Sequence, residues 1–366
     1  MEDKKQLIVS FPKLGHFWLD SGLVGLAKIV EEVAAGSLKV SENAIEIAAA
    51  SANEAEEILK KAYDVLIDRY YDLSSRRQIS DESSYNFYYD SQRDEFIAFP
   101  KKKPAGIAQI IYNKAPRPSG GQIKWEKKEK KEIEVNGKKV KRNRGILPKK
   151  FPTEYKHLEI RRDEIQKRME EFLDERGLDV TTSGLLVDGP NKVKPKITIK
   201  VSNSRNIRGY CYLCGQPSDR LEDANQTIFP LITGSSGVLS FNSEVGGPEK
   251  VCWKCTLVGK FVPANGFYMK QGDNIYCFFP YSVSLQKMID IYDIFQDVKY
   301  EDPDYFKNFN HSLGGYYQHP FEVTFAFLYT LYEKLLLRKK EDEEKEEILD
   351  LEKLFGVTIE RAPLEF

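Results

Sequence analysis

The 366-residue sequence predicts an α+β protein: a mixed strand/helix N-terminal domain, a four-cysteine module and a helical C-terminal segment. Three observations carry this expectation. Through the first half, apolar residues switch between alternate-residue and three-and-four spacing, as when strands exchange with amphipathic helices. Four of the five cysteines stand in two C-x-x-C pairs. Near the end, Phe325, Leu328, Leu331 and Leu335–Leu337 recur at helical spacing. The chain is long for one domain, and the expected boundaries are 1–180, 181–280 and 281–366.

Leu7–Phe11 is the first expected strand. Asp20 or Ser21 is expected to cap a helix carrying Leu23, Leu26, Ile29, Val30 and Val33, which Gly36 stops. Leu38–Val40 and Ile45–Ile47 read as a hairpin around Glu42 and Asn43. Ser51 and Glu54 form a capping box, and the helix they open extends to about Leu73. Residues 85–99 and 107–112 alternate as strands, and Pro116, Pro118, Gly120 and Gly121 break the pattern. A basic insertion, 124–150, folds back at Asn136-Gly137, a pair that favours a tight hairpin turn. A charged helix runs from Thr153 to Gly177, with strands near 183–187, 196–202 and 275–280 beyond it. A helix at 282–297, a loop at 303–318 and the last helix complete the reading.

The cysteines carry the strongest chemistry. Cys211 and Cys214 form C-Y-L-C ahead of Gly215, Cys252 and Cys255 form C-W-K-C, and 37 residues separate the pairs. Each C-x-x-C turn aims two sulfurs at one point, so two turns supply the four thiolates that structural Zn2+ prefers. A zinc-ribbon-like four-cysteine module is therefore expected, with a metal that builds structure. Redox-active or disulfide-forming pairs, or four buried thiols, are the alternatives, since the gap exceeds the usual 15–20 or so residues. Cys277, in Ile275–Phe279, is expected to be a buried core thiol.

The formal net charge is -1, with 41% hydrophobic and 30% charged residues, a soluble and globular composition. The opening residues are expected not to be a signal peptide, and no apolar run approaches the roughly 20 residues that span a bilayer. Cysteines in metal spacing fit a reducing compartment, so the cytoplasm is the expected location and no membrane partner is expected. The charge is uneven. From Lys124 to Arg168, 17 Lys or Arg stand against eight Asp or Glu. Lys138, Lys139, Lys141, Arg142, Arg144, Lys149 and Lys150 form the stronger half of this stretch, and Lys196, Lys200, Arg205 and Arg208 lead into the cysteines. Such clusters attract phosphates, though a solvated hairpin or strand face explains them as well. Thr233, Gly234, Ser235, Ser236 and Gly237, between the cysteine pairs, form a loop whose glycines permit close approach to a phosphate or a groove.

Catalytic signatures are missing. The sequence has no phosphate-binding G-x-x-x-x-G-K-[ST], no G-x-S-x-G and no H-E-x-x-H. Gly314-Gly315 is followed by Tyr316-Tyr317, not by paired aspartates, and the four histidines are scattered. The chain is accordingly expected not to be an enzyme.

Several segments together resemble one family. Trp18-Leu19-Asp20-Ser21-Gly22-Leu23-Val24-Gly25-Leu26 follows the first strand, and Phe96–Lys101 comes later. Then the C-x-x-C-G, Phe229-Pro230-Leu231-Ile232-Thr233-Gly234, Phe241 and the second C-x-x-C occur in order. Over about 1–280 this is similar to the zinc-containing large subunit of type I CRISPR surveillance complexes (Cascade). The resemblance implies partners: crRNA, target double-stranded DNA, the other Cascade subunits and a nuclease-helicase that the subunit recruits. It also implies that the protein inspects the short motif flanking a target while guide pairing reads the rest. The helical part at 319–355 is short for the bundle that often closes such subunits. Two other classes stay open: a CRISPR-linked nucleotide-acting or nuclease enzyme with a zinc insertion, and a zinc-stapled scaffold that binds protein alone.

Overall fold

Alternation at the N-terminus builds the first sheet. In the computed structural model, Leu7–Pro12 (β1), Leu38–Val40 (β2) and Ala44–Ala49 (β3) form an antiparallel sheet of order β1-β3-β2. Val9 lies across from Ile47 and Phe11 from Ile45, so one face is buried. The structure describes residues 6–74, 76–102, 121–135, 138–190, 192–195, 197–201, 207–224, 250–265, 267–271, 274–294 and 319–343. The expected strand at 107–112, the loop at 303–318 and the burial of Cys277 lie outside the described residues. The observed class is α+β.

Two compact units emerge. The first joins Met1–Tyr71 and Pro104–Lys114 to Pro195–Phe366, and the second comprises Asp72–Lys103 and Ala115–Lys194. They cut across the expected segments: residues 1–180 divide between the units. The reason is packing over a long sequence separation, carried by helix Phe17–Val33 (α1). Gly22 and Gly25 bring α1 so close to helix Trp253–Lys260 (α5) and the turn after it that a Cβ would overlap the Val258 and Phe261 carbonyl oxygens. The α1 helix is buried almost throughout.

The α1 cap differs from the expectation. His16 is the N-cap, its Nδ1 accepting from the Trp18 amide at 3.3 Å. Asp20 sits one turn inside, 1% exposed, accepting from the Leu14 amide at 2.8 Å and the Tyr281 hydroxyl at 3.0 Å, with Lys13 Nζ at 3.2 Å. It is a buried anchor with its charge compensated. Helix Ala52–Leu66 (α2) starts at Ser51, whose Oγ accepts from the Glu54 amide, while Glu54 reaches back to the Ala50 amide. A π-helical turn, Ile67–Tyr71, ends it, and the Tyr71 hydroxyl donates to the Lys260 carbonyl at 2.8 Å.

In the second unit a short helix, Arg76–Ser80 (α3), precedes strands Asn86–Asp90 (β4) and Glu95–Phe99 (β5). With Gln122–Lys124 (β6) and Gly184–Val187 (β9) they form a sheet of order β5-β4-β9-β6, parallel only between β4 and β9. Strands Lys127–Val135 (β7) and Lys138–Ile146 (β8) make the basic ribbon, with Val135 paired to Lys138 as a two-residue connection requires. The charged helix has its expected extent, but Thr153–Arg161 is 3-10 and Arg162–Arg176 (α4) is α-helical. Gly177 closes it at φ 62°, the left-handed conformation glycine adopts without strain. Ile165, Met169 and Leu173, one helical turn apart, enter the core.

Residues 197–201, within the strand expected near 196–202, form no strand, and Lys196 lies outside the described residues. Beyond them come Gly209–Tyr210 (β10), Pro217–Ser218 (β11), Leu221–Asp223 (β12) and Lys250–Cys252 (β13). Hairpin Phe267–Gln271 (β14) and Asn274–Phe278 (β15) precedes helices Leu285–Ile294 (α6) and Pro320–Glu343 (α7). Among the described residues no helix is long and apolar enough to cross a membrane.

Candidate metal centre

Two local structures deliver the four sulfurs. The first is a turn between β10 and β11. The Cys211 amide donates to the Gln216 carbonyl at 2.9 Å, and the Gly215 amide to the Cys211 carbonyl at 2.8 Å. Gly215 holds φ 67°, which explains a glycine directly after the second cysteine. The second is the start of α5, where Cys252 is the N-cap and Cys255 stands in the first turn. Pairing of β12 with β13 sets Leu221 across from Cys252. A bond from the Tyr212 amide to the Lys250 carbonyl, 2.9 Å, ties the two structures together.

The ligand atoms of Cys211, Cys214, Cys252 and Cys255 all lie within 4.8 Å of one another. Cys211 Sγ is 3.8 Å from Cys255 Sγ, and Cys214 Sγ 3.8 Å from Cys252 Sγ. A disulfide needs about 2.05 Å, so these thiols are free. A tetrahedral ion with metal–sulfur bonds of about 2.3 Å has sulfur–sulfur edges of about 3.8 Å. The cluster fits that geometry and can hold a metal ion in a zinc-ribbon-like arrangement. The Cys252 amide donates to Cys211 Sγ at 3.2 Å, and the α5 N-terminus adds positive potential.

Electrostatics also favour a cation. Hydrogen bonds from Cys214, Cys252 and Cys255 hold the Cys211 thiol far below its ordinary range, while the same sharing pushes Cys255 far above its own. Four thiolates brought to one point would repel one another, and a cation among them would offset that repulsion. Three of the sulfurs belong to buried residues, which pack with Val251 and Ala224. Lys254, between the second pair, donates to the Ser10 carbonyl at 2.8 Å and lies 5.5 Å over the Phe11 ring. Burial lowers its pKa, opposed by the neighbouring cysteines. With four protein ligands, no coordination position is left for a substrate.

The basic residues do not converge in this way. Odd-numbered residues of β7 share a face with even-numbered residues of β8. On that face Arg144 is 3% exposed, bound to Asp174 Oδ1 at 2.6 Å and to the Leu178 carbonyl at 2.9 Å. Arg142 pairs with Asp179 at 3.3 Å, and Lys131 stands 3.5 Å from both Glu170 and Asp174. The opposite face presents Lys128, Lys130, Lys139 and Lys141 to solvent, with Lys139 3.8 Å from Glu132. Lys149 and Lys150, just beyond β8, are exposed, as are Lys200 and Arg208. The Lys138 side chain, Lys196, Arg205 and the loop Thr233–Gly237 lie outside the described residues.

Sequence reasoning missed the buried Lys13–Asp20–Tyr281 cluster, whose members lie up to 268 positions apart and share no motif. It also passed over Tyr210 and Tyr212, 70% and 44% exposed beside the cysteine cluster. The signal for these two was their place next to Cys211.

Comparison with protein-family models, curated proteins and solved structures yields no match to this chain.

Proposed function

We propose that the chain is a non-catalytic, DNA-recognising large subunit of a type I CRISPR effector complex, with structural Zn2+ on Cys211, Cys214, Cys252 and Cys255. One observation carries the reading: the closed four-thiolate centre is tied to the N-terminal β1–α1 layer by the Lys254–Ser10 bond and the α1 glycines. Both carry part of the family resemblance, the N-terminal layer through Trp18–Leu26 and the module through its C-x-x-C pairs. Zinc is the best fit to an all-thiolate tetrahedral cage, since it needs neither redox chemistry nor an open position. The exposed cations Lys139, Lys141, Lys149, Lys150, Lys200 and Arg208 supply phosphate contacts, together with the loop Thr233–Gly237. Arg142 and Arg144 are already engaged by carboxylates and are not assigned to nucleic acid. In this reading the protein works in the cytoplasm with crRNA, the other Cascade subunits, target duplex and a recruited nuclease-helicase.

The test is reconstitution. The complex assembled with crRNA is expected to bind target duplex in a way that weakens steeply with salt and depends on a short flanking motif. Indifference to that motif rejects the reading, and metal-dependent cleavage by the purified chain points to an enzyme instead.

A further inference from the structure

We infer that the first cysteine turn is a stacking platform for unpaired nucleotides, with Tyr210 and Tyr212 as the base-contacting residues and Arg208 as the phosphate contact. Arg208 directly precedes β10 and Tyr210 ends it, while the Cys211 side chain enters the sulfur cluster. Arg208 is exposed, Tyr210 is 70% exposed and Tyr212 is 44% exposed. An aromatic ring so open to water at a rigid turn gives little to the core.

The frame beneath these side chains is fixed. The Arg208 amide bonds the Ser218 carbonyl at 2.9 Å, the Tyr212 amide bonds the Lys250 carbonyl at 2.9 Å, and the metal cluster holds Cys211 between the tyrosines. A tyrosine on such a frame offers a flat, pre-oriented face at low entropic cost. Charge names the occupant. From Pro195 to Arg208 the sequence carries Lys196, Lys200, Arg205 and Arg208 and no acidic residue. In the β10–β11 register Gly209 faces Ser218 and Tyr210 faces Pro217, so neither is paired with an acidic residue. Aromatic faces beside the exposed Arg208 suit a single strand, whose bases stack and whose phosphates meet the cation. A paired duplex offers no free base face to a tyrosine. This site is independent of the duplex-motif reading, because it requires no Cascade partner.

The full chain, metal-loaded, would be titrated with labelled oligo-dT and oligo-U of about 15 nucleotides at low salt. Tyr210→Ala and Tyr212→Ala are each expected to weaken binding about tenfold. Tyr210→Phe and Tyr212→Phe, which keep the ring, are expected to stay near wild-type affinity. Metal content and Tm serve as folding controls. The oligonucleotide bound more tightly identifies the displaced DNA strand or an RNA segment as the ligand, and either supports the platform. Wild-type affinity in the double alanine variant with metal retained, or no binding of either oligonucleotide by the wild type, overturns it. Loss of motif discrimination by an assembled complex leaves this result unaffected.

Discussion

The cysteine module and the β7–β8 ribbon are each built on one repeated chemical type, and folding treats the two differently. In the module all four sulfurs arrive at one point, within 4.8 Å. In the ribbon the pleat sends alternate cations to opposite sides. Arg142, Arg144 and Lys131 meet Asp179, Asp174 and Glu170, while Lys139 and Lys141 face water. Thiolate ligation is short-ranged and directional, so the spacing of a turn nearly dictates the result. Charge is long-ranged and indifferent to direction, so a run of lysines and arginines leaves open which of them the fold neutralises.

The largest expected effect breaks the module. Cys211→Ser or Cys252→Ser should lose the metal and lower Tm by on the order of 10 °C, because structural-metal binding is folding free energy. Calorimetry with elemental analysis checks this, and an unchanged Tm and metal content would refute a structural metal. Acidification should act in the same direction. The ligands bind as thiolates, so protons compete with the ion, and metal-linked stability is lost as pH falls.

Next comes the packing that joins the module to the N-terminal layer. Gly22→Ala sets a methyl against the Val258 carbonyl and should cost about 3 kcal/mol in chemical denaturation. A neutral result would mean that α1 and α5 separate easily.

Arg144→Ala is the sharpest test of the ribbon. Removing a buried guanidinium leaves the Leu178 carbonyl and Asp174 without their donor, and a loss of about 2 kcal/mol is expected. The duplex affinity of the assembled complex should stay the same. If stability holds and DNA binding falls, the two faces have been assigned the wrong way round.

Lys139→Ala and Lys141→Ala should have the smallest effect on stability, within about 0.5 kcal/mol. If they touch phosphate, each should lower the log–log salt slope of binding by about one. A slope identical to wild type would remove the ribbon from the nucleic-acid surface.

How much was legible follows from the range of each interaction. The β2–β3 hairpin, the Ser51 cap and the helix end at Gly177 were readable because turns and caps are satisfied within a few residues. The α1 cap was misplaced by one turn. Asp20 has the chemistry of a cap but is committed to Lys13 and Tyr281, the second of which is 261 residues away. The strand expected at 196–202 is absent from 197–201, since alternation there found no partner strand among the described residues.

The sequence by itself determined the α+β class, the two C-x-x-C turns whose four sulfurs can hold a metal ion and the two-residue connection of the ribbon, because hydrogen bonds and ligand geometry act over a few positions. Only the tertiary structure decided three things. It united residues 1–71 with 195–366 around α1, committed Arg142 and Arg144 to carboxylates, and left Tyr210 and Tyr212 exposed. Each depends on which surfaces meet across long stretches of chain and which stay at the surface, and close packing resolves that only when the whole chain is folded.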